Sequence, residues 1–112
     1  MAEIQGSGAR PINPEEKKMY EQEYKQSADL FKRALEQYSK SDNQFQKSEF
    51  KHVMDQALQV LNQTAKELMR KELQKQNEQI AKDYTTFKKY PGDHDTIQKL
   101  NQDLDRAKKS LG

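Results

Sequence analysis

The stretch ELMRKELQKQNEQIAKDY, residues 67–84, contains neither glycine nor proline and is built almost wholly from good helix formers. Its middle, residues 70–79, offers one strong apolar side chain, Leu73. The stretch belongs to a longer run, 44–89, that also lacks Gly and Pro. Along that run Phe50, Met54, Ala57, Leu61, Ala65, Leu68 or Met69, Leu73, Gln76, Ile80, Tyr84 and Phe87 keep close to a 3.6-residue period. A strict heptad loses this stripe after Leu68, so the spacing predicts one nearly straight helix over 44–89, about 70 Å long at 1.5 Å per residue. A bend near Gln76 and Asn77 is the competing reading.

Turn chemistry brackets the run on both sides. SKSDN, residues 39–43, is all cap and turn residues, and YPGD, residues 90–93, has proline and glycine at the second and third turn positions. Before the first turn, Asn13, Pro14 and two glutamates predict a capped helix over 14–39, with Tyr20, Tyr24, Ala28, Phe31, Leu35 and Tyr38 on one stripe. After the second, a helix over 94–111 carries Ile97, Leu100, Leu104, Ala107 and Leu111 at spacings 3, 4, 3, 4. Residues 1–13, broken by Gly6, Gly8 and Pro11, read as a disordered tail ahead of a single helical domain, 14–112.

These elements predict an all-α chain of three helices, an elongated helical hairpin or bundle with one long central helix and coiled-coil-like seams. The first helix folds back along the first half of the long one, and the last helix along its second half. Neither return helix covers much of residues 70–79, which explains a polar waist around Leu73. Two-helix pairings of this kind bury little against a backbone entropy cost of about 1–2 kcal/mol per residue. A homo-oligomer or a hetero-complex with a partner helix is therefore expected, along a seam of Leu61, Leu68, Leu73, Ile80, Tyr84, Phe87, Ile97, Leu100, Leu104 and Leu111.

Composition agrees with a thin core. Of 112 residues 32% are apolar and 34% charged, with 20 basic against 18 acidic residues for a net charge of +2. The charge is balanced, which suits solvated helix faces. With no cysteine, disulfides and thiolate metal sites are excluded. No basic start followed by an apolar run marks a signal peptide, and no stretch approaches the ~20 apolar residues of a membrane span. A cytoplasmic location without membrane contact is the expectation.

Nothing in the pattern points to catalysis, a cofactor or a metal. His52 reads as a helix-surface histidine. Asp93, His94 and Asp95 are adjacent at a helix start, where a cap with favourable dipole charge accounts for them. No phosphate loop or metal-ligand helix motif is present. Lysine pairs recur at Lys17–Lys18, Lys88–Lys89 and Lys108–Lys109, with Arg70–Lys71 alike, and Tyr84, Phe87 and Tyr90 lie near one of them. Nucleic-acid binding through these pairs is the alternative function, opposed by acidic residues interleaved nearly everywhere. SADLFKRAL, residues 27–35, resembles the second helix of a tetratricopeptide repeat at Phe31, Ala34 and Leu35. The preceding helix of such a repeat would overlap Pro11 and Pro14, and no second copy follows about 34 residues on, so the repeat is rejected. In overall composition, short, cysteine-free and glutamine-rich, the chain resembles the small coiled-coil adaptors, needle components and chaperones of bacterial secretion systems. The expected function is a non-catalytic helical protein–protein interaction module: an adaptor, a chaperone-like protein or an assembly component.

Overall fold

The structure, a computed structural model, describes residues 12–111. Four helices follow one another: α1 (Pro14–Lys40), α2 (Gln44–Glu67), α3 (Lys71–Lys89) and α4 (His94–Leu111). The described residues are all-helical, as expected, but in four helices and not three. The single long helix over 44–89 is two helices.

The break falls at Leu68, Met69 and Arg70, not at Gln76 and Asn77, which lie inside α3. Met69 has φ 56°, the left-handed conformation, and Arg70 is extended. Met69 N–H donates to the Lys66 carbonyl at 3.0 Å and Arg70 N–H to the Ala65 carbonyl at 3.4 Å. This is the paired closure that ends many helices, usually with glycine at the left-handed position. A side chain there costs about 1–2 kcal/mol. The reversal brings Leu73 and Ile80 to complete burial, and burying one such side chain is worth about 1.5–3 kcal/mol. Tertiary burial therefore outweighs the local strain.

The other boundaries follow local chemistry. Asn13 and Glu16 form a reciprocal capping box at the start of α1. Asn43 accepts from the N–H groups of Phe45 and Gln46 at 2.8 and 3.1 Å to start α2. At the second hairpin Asp93 N–H donates to the Tyr90 carbonyl at 3.0 Å, closing the turn that Pro91 and Gly92 predict. Ile12 is half-buried against the core. The rest of the segment expected as a disordered tail, 1–11, lies outside the described residues.

Each helix packs on its neighbours in the order α1–α2–α3–α4–α1, which makes an up-down-up-down bundle with α1 diagonal to α3. The diagonal is filled by large side chains. Phe31 meets Tyr84 edge-on at 5.2 Å, and Tyr38 meets Phe87 edge-on at 5.2 Å. Farther along the same diagonal Tyr24 reaches Asn77. The expected polar waist does not exist, because α3 has α2 and α4 on its flanks and α1 across the core. Leu73 is fully buried. Lys32 bridges α1 to Asp105 of α4 at 2.5 Å, and Lys108 of α4 pairs with Asp29 of α1. Arg70, at the α2–α3 turn, donates to the Ser110 carbonyl at 2.6 Å and so satisfies one free carbonyl at the end of α4.

Candidate interaction surface

The ten residues expected to form an interaction seam come together inside the bundle. Leu61, Leu68, Leu73, Ile80, Tyr84, Phe87, Leu100 and Leu104 are buried in one core, with Ile97 and Leu111 half-buried against it. Their partners are other helices of the same chain, so a second protein meets them only if the bundle opens. Any interaction surface of the closed bundle lies elsewhere.

Groups with chemical potential are dispersed. His52 is exposed and bonds Gln56 at 3.3 Å, one turn along α2. Asp93 accepts from the Thr96 hydroxyl at 2.6 Å, which is helix-start chemistry. Among the described residues no three His, Cys, Asp or Glu side chains converge on a point where a metal ion would sit. Several of the basic residues flagged in pairs are engaged within the chain: Arg70 near Glu21 at 3.9 Å, Lys88 over the Tyr84 ring at 4.7 Å, Lys108 with Asp29.

Two buried polar arrangements escaped the sequence reading. Tyr24 donates to Asn77 Oδ1 at 2.6 Å, and Asn77 Nδ2 donates to the Leu61 carbonyl at 2.9 Å, which ties α1, α3 and α2 together. Burial pushes the Tyr24 hydroxyl well above its ordinary pKa. The spacing 73, 77, 80, 84, 87 contains this signal, since Asn77 fits the stripe better than Gln76. The second arrangement is Asp103, buried on α4 with Oδ2 lacking any hydrogen-bond partner. Burial, then a hydrogen bond to Asp83 and the charge of Asp83, push its carboxyl up to about 7, against the pull of Arg106 and Lys99. Asp103 lies on the Thr96, Leu100, Leu104 and Ala107 face, a polar residue in an apolar stripe. Only the first of the two arrangements ties helices together.

The surface is uneven in charge. In a chain where every third residue is charged, residues 56–65, QALQVLNQTA, carry none. They form most of the second half of α2, and Gln56, Gln59, Asn62 and Gln63 among them are exposed. Val53 and Val60 are half-buried on the side of α2 that faces α1, as the position of Val60 beside Tyr20 and Glu23 shows. The two helices are antiparallel. Two turns up α1 from Glu23 is Leu30, and two turns down α2 from Val60 is Val53, so Leu30 and Val53 lie level on the same outer face. Leu30 is 45% exposed. The α1–α2 outer face thus has an apolar line, Leu30, Val53 and Val60, framed by the amides of Gln26, Gln56 and Gln63. A depression of about 220 Å3 closes its lower end between Tyr20, Glu23, Val60, Gln63, Thr64 and Glu67.

Among the described residues no helix is long and apolar enough to cross a membrane. Compared with known protein families, with curated proteins and with solved structures, the chain matches none.

Proposed function

We propose that the chain is a non-catalytic helical protein–protein interaction module, an adaptor or assembly component, and that it receives its partner on the α1–α2 outer face. The charge-free run 56–65 carries this reading. Lys, Glu and Asp are depleted at the centres of protein interfaces because their desolvation is expensive, while an amide is less costly to dehydrate and finds either a donor or an acceptor. An exposed Leu30 level with Val53 supplies apolar area beside those amides. No other helix of the bundle leaves so long an outward stretch without charge.

The reading is tested by affinity capture under native conditions with the wild-type chain, Leu30→Glu and Gln102→Glu. Both substitutions fall on exposed positions, on α1 and α4, and leave the melting temperature nearly unchanged. The expected result is a partner retained by wild type and Gln102→Glu and lost with Leu30→Glu. Identical sets of bound proteins for all three place the interaction on another surface. Binding that vanishes with nuclease treatment and falls steeply with salt assigns the chain to nucleic acid instead.

A further inference from the structure

We infer that the α1–α2 groove takes a basic amphipathic helix of a partner protein, with a Lys or Arg side chain seated between Glu23 and Glu67; this rests on the interaction reading above and names the partner's chemistry. The charges that line the depression carry one sign, and the basic residue beside Leu30, Arg33, lies at the far end of the groove. Glu23 on α1 and Glu67 on α2 flank the 220 Å3 depression, and no Lys or Arg lines it. Glu49, two turns before Gln56 on α2, lies on the same side at the other end. None of these three forms an ion pair among the described residues, whereas Glu21, Asp29, Asp103 and Asp105 each have a cationic partner nearby.

The depression, about 220 Å3, has room for one long side chain. Tyr20 and Val60 offer an apolar wall for the methylene stem of a lysine or arginine, and the two carboxylates meet its head. Further along, Leu30 and Val53 accept an apolar side chain about two helical turns from the cation. The spacing is that of a helix with cationic and apolar residues on one face, and such helices are read as anchors at i, i+3, i+4 and i+7. A second copy of this chain is a poor occupant. A two-fold contact on this face brings an acidic border onto an acidic border, and like charges facing one another oppose association.

The test uses the full chain, labelled with nitrogen-15, and three synthetic helical peptides of about 18 residues, long enough to hold helix. They share one leucine stripe and differ only in flanking residues: lysine, glutamine or glutamate. The lysine peptide is expected to shift the backbone signals of Glu23, Leu30, Val53, Val60 and Glu67, and the glutamate peptide to leave them unmoved. Combined Glu23→Gln and Glu67→Gln should weaken the lysine peptide about tenfold and leave the glutamine peptide unchanged. If the glutamine peptide binds this face as tightly as the lysine peptide, the interaction face stands and the basic partner falls. If no peptide shifts these signals, or all shift a different face, both readings fall. Shifts on this face that grow with protein concentration alone make a second copy the occupant and overturn the inference.

Discussion

The Tyr24 hydroxyl and Asn77 Oδ1 lie 2.6 Å apart in the middle of the bundle, on two helices that are diagonal neighbours. Because Asn77 also donates to the Leu61 carbonyl, one buried amide fixes the height of α1, α2 and α3 relative to one another. A slide of any of the three by one turn, about 5.4 Å, separates the partners and leaves polar groups buried without hydrogen bonds. The network is thus a device for register in a core otherwise made of interchangeable apolar side chains.

Asn77→Ala is expected to destabilise by about 2–4 kcal/mol, because it strands the Tyr24 hydroxyl and opens a small cavity. Asn77→Leu alone strands the same hydroxyl. Combined with Tyr24→Phe it should cost less than the sum of the two single changes, since no polar group is then left unmet. Urea titrations of the four proteins complete the cycle. Strict additivity would mean that the two side chains do not work as a pair.

Met69 offers a second handle. Glycine reaches a φ of 56° without the steric penalty that a methionine bears. Met69→Gly should therefore stabilise the bundle by about 1 kcal/mol, and Met69→Val should destabilise it, since a β-branched residue resists the left-handed region most. Thermal melts order the three proteins Gly, Met, Val. A lower melting temperature for the glycine variant would put a continuous helix through this point.

Much of the fold was legible locally. Asn13, Asn43 and the YPGD turn mark helix ends within a residue or so of where they fall, and α4 begins and ends as its spacing indicates. The reversal at Met69 was not legible, because the usual sign of such a closure is glycine and here burial across the bundle overrides local preference. That one missed turn changed the count of helices and turned a supposed waist into core. It also moved the place where an interaction surface is proposed. With the apolar stripes of α3 and α4 covered by α1 and α2, the feature left on the outside is a charge-free stretch of α2. It is plain in the sequence once helix faces are known and inconspicuous before, since residues 56–65 also contain the core positions Ala57, Leu61, Thr64 and Ala65.

Leu73→Asp tests the correction directly. Leu73 and Leu104 are both fully buried, so a carboxylate at either position loses its hydration without gaining a partner. The two variants should be about equally damaging, each costing several kcal/mol and leaving little folded protein at 37 °C. Circular dichroism melts decide. If Leu73→Asp melts near wild type while Leu104→Asp does not, residue 73 is solvated and α3 stands away from the rest of the bundle.

The Asp83–Asp103 pair gives the bundle a pH dependence whose sign is fixed by burial. In the unfolded chain Asp103 loses its proton near the ordinary aspartate value of 3.8; in the bundle it holds the proton up to about 7. Between these values the folded state binds more protons than the unfolded state, so stability falls as pH rises. The contribution is fully present below about pH 4, is lost progressively towards pH 7, and changes little above that. Ionisation places a second negative charge beside Asp83 with one carboxylate oxygen unpartnered, which presses α3 and α4 apart; Arg106, 3.8 Å away, and Lys99 oppose this in part. Asp103→Asn keeps the shape of the side chain and removes the titration. Its melting temperature should be nearly flat from pH 5 to pH 8 where wild type drops by several degrees, and above pH 7 the variant should be the more stable protein. Parallel wild-type and variant curves over that range would show that Asp103 ionises as an ordinary solvated carboxylate.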